Sequence, residues 1–170
     1  MTDHKPDYPK VMKEVQRLLE QFGCKEPPVD PLKIAKALDI NVKFVTFGTK
    51  SKNVSGFYDP SENAIYVNAD DPSKRQTFTI AHELGHACLH KDWARTEDYR
   101  VLLRYTESEN SDFREKEANA FAAHLLVPRF MLIKYVDKVR IPDLADMFAV
   151  SKDVIGYRIG YEFRDAGYSV

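Results

Sequence analysis

The five residues His82-Glu83-Leu84-Gly85-His86 carry the clearest chemistry in the sequence. If they lie on a helix, His82 and His86 share one face, so both imidazoles can bind the same metal ion. Neutral imidazole nitrogens suit Zn²⁺, and a catalytic zinc site keeps one coordination position open for water. Glu83 lies one step around the helix, where its carboxylate can accept a proton from that water. The spacing therefore predicts a metal-dependent hydrolytic site.

A helix with two histidines and no metal is the alternative, and the surrounding pattern argues against it. Apolar residues at positions 78, 81, 84 and 88 form a stripe beside the histidine pair. His90 repeats the four-residue step, but eight residues of helix rise about 12 Å, too far for His82 and His90 to share an ion. We therefore expect His90 to cap the helix or to pack. Leu89 and Asp92 stand where the longer metzincin motif requires glycine and histidine, so that motif is absent.

The third protein ligand has to come from another element, and a helix predicted at residues 113–127 offers Glu115 and Glu117. At 100° per residue, Glu115 lies about 50° from the centre of the apolar stripe and Glu117 about 110° from it. A carboxylate is costly to bury unless it is paired or binds a metal. Glu115 is therefore the predicted ligand, whereas Glu117 is expected to be solvated and His124 to lie on the polar side. Asn119, one turn beyond Glu115, either orients a ligand or is a surface amide.

The elements that must position these residues follow from periodicity. Val11, Val15, Leu18 and Leu19 predict a first helix, and Asp30 followed by Pro31 begins a second. Strands are predicted at 42–47, 55–58 and 64–67 with a turn at 59–63, and helices at 72–90, 113–127, 141–148 and 151–163. Between the two long helices the segment is irregular, with Trp93, Tyr99 and residues 101–103 as apolar anchors. The predicted fold class is α+β, with one small antiparallel sheet packed on helices.

Length and composition narrow the function classes. A chain of 170 residues predicts a single domain. We divide it into an N-terminal helical segment (1–29), a core (30–135) and a C-terminal helical tail (136–170). A formal charge of −1 argues against a surface built for nucleic acid. Two cysteines outside any CxxC motif favour a reducing, cytoplasmic setting, and the lack of an 18-residue apolar run predicts no signal peptide and no membrane span.

Two stretches together resemble the ImmA/IrrE family of metallopeptidases. They read TFTIAHELGH at 77–86, followed by Leu89-His90, and EKEANAFAAHLLVP at 115–128; SGFY at 55–58 and IYVN at 65–68 resemble the family's preceding strands. The resemblance covers roughly residues 30–165, and Val127 departs from the Met of many relatives. It implies a zincin-like fold holding Zn²⁺, with Mn²⁺ as an alternative. Its metal residues map onto His82, His86 and Glu115, and its catalytic glutamate maps onto Glu83.

The same resemblance implies a substrate. Members are bacterial or phage peptidases that cleave a helix-turn-helix repressor encoded nearby and thereby switch on a mobile element or a stress response. The strands before the metal helix suggest how a substrate could bind, because an exposed edge strand can pair with an extended peptide. Residues 55–58 and 65–67 are the candidate edge strands.

Three residues of the tail, Tyr157, Arg158 and Tyr161, are candidates for stabilising the oxyanion if the tail folds over the site.

The helix-turn-helix character of the tail raises a second hypothesis, a DNA-binding or repressor-binding regulator with a structural or vestigial metal site. Residues 139–170 hold four basic and five acidic side chains, so the basic surplus that phosphate binding needs is missing. Direct DNA binding is therefore disfavoured. A hydrolase that acts on another bond is a third hypothesis, because the motif prepares a water and does not select the bond it attacks.

Overall fold

The computed structural model describes residues 5–48, 54–99 and 112–164. In chain order the elements are α1 (Tyr8–Gln21), α2 (Pro31–Ala37), β1 (Asn41–Val45), β2 (Gly56–Asp59), β3 (Ala64–Asn68), α3 (Ser73–Leu89), a 3-10 turn (Trp93–Arg95), α4 (Phe113–Leu126), α5 (Arg129–Leu132), α6 (Ile141–Met147) and α7 (Lys152–Glu162). The α+β class and the order of elements agree with the sequence prediction. The predicted anchors at 101–103 lie outside the described residues.

The sheet is mixed, so the prediction of an antiparallel sheet was wrong in part. Its strand order is β1-β3-β2, which places β3 in the centre. β2 and β3 form the predicted antiparallel hairpin, with Tyr58 opposite Ile65. β1 instead runs parallel to β3, with Asn41 opposite Ala64 and Val45 opposite Asn68. A chain can pair antiparallel strands through a short loop, whereas the parallel pair here needs the whole of β2 as its connection.

Side-chain caps fix where several helices begin. Asp7 accepts a hydrogen bond from the Lys10 amide at the start of α1, and Asp30 accepts from the amides of Leu32 and Lys33 at the start of α2. Ser151 caps α7 in the same way. Such caps satisfy amides that have no partner within the helix, and each is worth about 1 kcal/mol. The first residues of α1, α2 and α7 are therefore encoded locally.

Helices α3 and α4 pack directly on each other and form the centre of the molecule, with α1 against α4 and the sheet against α3. Leu84 of α3 and Phe121 and Leu125 of α4 are fully buried in this core. Gly85 allows the close approach, because a Cβ at this position would lie 3.1 Å from Phe121 Cδ1. Among the described residues no helix is long and apolar enough to span a membrane. The α3–α4 contact is what positions the site described next.

Candidate metal centre

Three side chains from α3 and α4 meet at one point. His82 and His86 face α4 from successive turns of α3, and Glu115 faces them from the first turn of α4. His82 Nε2 lies 3.2 Å from Glu115 Oε2, and His86 Nε2 lies 3.1 Å from Glu115 Oε1. The two Nε2 atoms are 3.2 Å apart. These residues are the one group in the described chain whose ligand atoms converge in this way, all within 4.8 Å of one another.

The spacing of these atoms fits a tetrahedral metal. Zinc bonds of 2.0–2.1 Å at tetrahedral angles put neighbouring ligand atoms about 3.3–3.4 Å apart. The three separations of 3.1, 3.2 and 3.2 Å need to widen by only about 0.2 Å to reach that value. Two imidazoles with one carboxylate form a donor set typical of catalytic zinc, which keeps a fourth position for water or substrate. The residues present therefore fit a divalent metal.

The charge state of the three side chains suits a cation. Burial lowers the pKa of His86 to about 4, so this ring is neutral at pH 7. Burial opposes ionisation of Glu115, but hydrogen bonds from the two histidines outweigh it and leave its pKa well below the usual range. Burial also opposes charge on His82, yet the carboxylates of Glu115 and Glu83 outweigh it and raise its pKa. A bound cation would compete with that proton on His82.

Asn119 lies against the first histidine. Its Oδ1 is 3.0 Å from His82 Nδ1, and an amide oxygen only accepts hydrogen bonds. Nδ1 of His82 therefore carries a proton, and Nε2, which faces Glu115, is the atom that would bind a metal. Such partners fix the tautomer and the orientation of a metal-binding imidazole. The structure thus places Asn119 where it can orient His82.

Glu117 is buried, and the prediction that it is solvated was wrong. Its exposed fraction is 3%, and its Oε2 lies 2.6 Å from His90 Nε2. Its Oε1 accepts a 2.6 Å hydrogen bond from the Asp7 amide at the start of α1. The angular argument assumed a single buried face on α4, but α4 packs against α3 on one side and α1 on another. His90 is the C-cap of α3, as predicted, and it also lies 3.1 Å from His86 through their Nδ1 atoms.

Glu83 is a buried carboxyl group with an unsatisfied oxygen. Its exposed fraction is 6%, and Oε2 has no hydrogen-bond partner among the described residues. Burial raises the pKa of Glu83 to about 7, while the His82 charge and hydrogen bonds from the Tyr58 amide and the Tyr99 hydroxyl oppose this rise. An unpaired buried carboxylate is expensive, and such groups concentrate where a proton is moved. Glu83 therefore has the placement of a general base beside the three ligands.

Tyr99 contributes to the site, although the sequence predicted it only as an apolar anchor. It is 2% exposed, and its hydroxyl accepts a 3.0 Å hydrogen bond from the Tyr58 amide of β2. Its ring lies 5.9 Å from the ring of His86. A cleft of about 540 Å³ opens between β2 and this segment, and residues 57–61, Ala94, Arg95 and Tyr99 line it. No spacing pattern in the sequence links Tyr99 to Glu83, because the two meet only through the tertiary fold.

The three oxyanion candidates of the tail lie elsewhere. Arg158 is fully buried and donates to Val127 O at 2.9 Å, to His124 Nε2 at 3.0 Å and to Glu162. His124 follows Glu115 by nine residues, which is about 13 Å along α4. The structure therefore does not bring Arg158 to the ligand group, and Tyr157 and Tyr161 are 47% and 42% exposed on the same helix. His124 is 5% exposed, so its predicted place on a polar face was wrong, because α7 covers that face.

Comparison with known proteins agrees with this geometry. Residues 35–160 match the Peptidase M78 family, described as the IrrE N-terminal-like domain, and this stretch contains all three ligand residues and Glu83. The chain belongs to the ImmA/IrrE metallopeptidase family. Membership implies a divalent metal, which the His82, His86 and Glu115 group is built to hold. The family resemblance drawn from the sequence is confirmed.

Relatives of this family come from phages and bacteria. The chain is 29% identical over 150 residues to immunity region protein 2 of Bacillus phage phi105, covering 86% of this chain and 87% of that protein. It is also 29% identical over 99 residues to the radiation response metalloprotease IrrE of Deinococcus radiodurans, covering 58% of this chain and 28% of that protein. A solved Mycobacterium tuberculosis transcriptional regulator superposes with a TM-score of 0.65 at 17% identity. That match covers 89% of this chain and 46% of the regulator, and it supports the fold alone.

Proposed function

We propose that the chain is a zinc-dependent endopeptidase that cleaves a helix-turn-helix repressor and thereby switches on a mobile element or a stress response. The observation that carries the peptidase assignment is the convergence of His82, His86 and Glu115 beside the unpaired Oε2 of Glu83. A zinc ion in this group would supply a Lewis acid that polarises the scissile carbonyl and lowers the pKa of the attacking water. Mn²⁺ is the alternative metal.

Glu83 is the proposed general base. Its Oε2 accepts a proton from the attacking water and then delivers that proton to the nitrogen of the leaving amine. The Tyr58 amide and the Tyr99 hydroxyl hold the carboxyl group in place. Burial of Glu83 excludes bulk water from the proton that it carries between the two steps. The chain thus provides a single group for both proton transfers.

The substrate is proposed to bind as an extra strand beside β2. Of the two candidate strands, β3 is central and has partners on both sides, so the prediction that residues 65–67 form an edge strand was wrong. Among the described strands β2 lies at an edge, and α3 with its metal ligands packs against it. The Tyr58 amide points away from β3 and is bonded to the Tyr99 hydroxyl, so a peptide would pair with the part of β2 that precedes Tyr58. A peptide on this edge would use main-chain hydrogen bonds for affinity and the adjoining cleft for specificity.

The identity of the substrate rests on the relatives. A relative covered over 87% of its length is named as a phage immunity region protein. A second relative, protein XkdA of the phage-like element PBSX of Bacillus subtilis, is 29% identical over 168 residues. Both names support a role for this chain in a phage-derived element. A repressor of such an element is therefore the proposed substrate.

The tail has few basic side chains that could bind DNA phosphates, which weakens the hypothesis of a DNA-binding regulator. Arg158 is one of its four basic residues, and it is fully buried among Val127, His124 and Glu162. Its charge is therefore unavailable to a phosphate. Residues 139–170 therefore have three basic side chains besides Arg158 to offer a phosphate.

Incubation with the repressor encoded beside the chain's own gene tests the proposal. The purified chain with added Zn²⁺ or Mn²⁺ should make one discrete cut, detected by intact mass, and a chelator should abolish it. Casein should remain almost uncut, because selection depends on one extended pose at β2. An intact repressor under both metals, together with a shift of operator DNA by this chain alone, would favour the DNA-binding regulator instead.

A further inference from the structure

A buried line of hydrogen bonds leads from the metal centre to the N-terminal helix. It starts at His86 Nδ1, which is 3.1 Å from His90 Nδ1. It continues from His90 Nε2 to Glu117 Oε2 at 2.6 Å and ends where Glu117 Oε1 accepts from the Asp7 amide at 2.6 Å. His86, His90 and Glu117 are 1%, 7% and 3% exposed. We refer to His86, His90, Glu117 and the Asp7 amide as the relay.

Metal coordination would set the direction of every bond in the relay. If His86 binds through Nε2, its neutral ring carries the proton on Nδ1 and donates it toward His90. Nδ1 of His90 must then accept, so the proton of its neutral ring lies on Nε2 and is donated to Glu117. The Glu117 carboxylate accepts that bond with one oxygen and the Asp7 amide with the other. All four polar groups are satisfied, and no alternative tautomer satisfies them all.

The far end of the relay lies outside the family core. Asp7 is the N-cap of α1, and it precedes the family match, which begins at residue 35. α1 packs along α4 through Val11, Val15 and Leu18, so the Asp7 amide is held where α1 begins. Glu117 therefore has two roles. It supports the ring that supports a metal ligand, and it anchors the first residue of the N-terminal helix.

We propose that His90 and Glu117 are positioning residues that hold the His86 ring for metal binding and couple the metal centre to the docking of α1. The proposal rests on the metal site of the proposed function. Hydrogen-bonding partners of ligand histidines typically change metal affinity by about 10- to 100-fold when they are removed. Because coupling is reciprocal, a docked α1 should favour metal binding by the same factor as bound metal favours the docking of α1.

Zinc affinity, measured by competition with a chromophoric chelator, is the first test. His90→Phe keeps the size of the ring but offers no acceptor, and we expect its zinc affinity to fall about 10- to 100-fold. Glu117→Gln has one acceptor oxygen for two N–H donors, so it should show a loss in the same direction. His124→Phe is the matched control, since His124 is also a buried α4 histidine at 5% exposure but belongs to the Arg158 network. Its affinity should equal that of wild type.

A partial rescue separates positioning from packing. In His90→Asn the Oδ1 atom can stand where Nδ1 of His90 stood and accept from His86, although the shorter side chain cannot reach Glu117. We expect an affinity between those of wild type and His90→Phe. If His90 only fills space, the smaller Asn should instead be worse than Phe. The d–d spectrum of Co²⁺-loaded protein should follow the same ranking, because it reports the geometry of the ligands.

Hydrogen exchange tests the other end of the relay. In wild type, zinc should slow exchange in the peptide that contains Asp7 and the first turn of α1. In Glu117→Gln zinc should leave that exchange unchanged, with circular dichroism confirming that the variant is folded. Equal zinc affinity in wild type, His90→Phe and Glu117→Gln would overturn the relay while leaving the metal site intact. Failure of wild type to bind zinc at all would instead overturn the proposed function on which the relay rests.

Discussion

Gly85 lies where α3 packs against Phe121 of α4, and adding one methyl group there should separate the helices. In Gly85→Ala the new Cβ would meet three Phe121 atoms, Cδ1 at 3.1 Å and Cβ and Cγ at 3.2 Å. Phe121 is fully buried, so it cannot swing into solvent. Overpacking of this kind costs about 1–3 kcal/mol. Alanine also favours a helix over glycine by about 1 kcal/mol, which partly hides the clash.

Gly160→Ala is the control that separates the clash with Phe121 from the gain in helix propensity. Gly160 lies inside α7, and a Cβ there meets nothing within 4 Å. Both substitutions gain the same helix propensity, so their difference in the free energy of unfolding isolates the clash. We expect Gly160→Ala to be the more stable by about 1–3 kcal/mol in urea denaturation of the metal-free proteins. Zinc affinity should fall in Gly85→Ala alone, because Glu115 retreats with α4. Equal stability and equal zinc affinity in the two variants would refute the claim that the close α3–α4 contact positions the metal ligands.

Three further outcomes follow from the contacts around α4. Zinc content, measured by mass spectrometry of the metal, should be close to one per chain and should vanish on replacement by alanine of any one ligand: His82, His86 or Glu115. Arg158→Met should destabilise the fold by about 1–3 kcal/mol in denaturant, because it leaves the buried Val127 carbonyl and His124 Nε2 without their donor, and it should not change zinc content. Burial and the Arg158 charge lower the pKa of His124 to about 3, below about 6.5 when unfolded. Stability should therefore fall as pH drops from 6.5 toward 3, and less steeply in His124→Gln.

Local signals predicted most of the elements. The apolar repeat placed α3 at Ser73–Leu89, and the Ser151 cap helped to place α7 at Lys152–Glu162, both within one or two residues of the predicted ranges. The hairpin of β2 and β3 was visible because its turn residues lie between two short apolar runs. These features depend on neighbours in the chain. Sequence alone therefore carries enough information to find them.

Long-range packing accounts for what the sequence did not predict. The parallel pairing of β1 with β3 joins strands that are not consecutive, and strand periodicity is the same for either partner. Glu117 and His124 were expected at the surface, since one apolar stripe on α4 suggested one buried face. The structure covers α4 with α3, α1 and α7, so its polar side chains pair with His90 and Arg158 inside the protein. Burial of a polar side chain depends on a partner from another element, which no single helix pattern reveals.

The ligand group itself was within reach of sequence because its spacing is helical. His82 and His86 follow from the four-residue step on α3, and the angular position of Glu115 favoured it over Glu117. The structure brings these three together. Of the supporting residues, Tyr58 lies in a strand that resembled the family but was given no role in the site, and Tyr99 lies in a connecting segment without a motif. The sequence therefore predicts the ligand residues of such a site but not the residues that support them.

The central claim is that Glu83 moves the proton while three other side chains hold the metal. The most direct measurement follows zinc content and repressor cleavage in the same samples of wild type and Glu83→Gln. The amide substitution keeps shape and volume, so zinc content should remain close to one per chain, whereas the cleavage rate should fall by at least about 10²-fold. Glu20→Gln, on the outer face of α1, is the control and should match wild type in both. Cleavage by Glu83→Gln at the wild-type rate with zinc bound would contradict the claim.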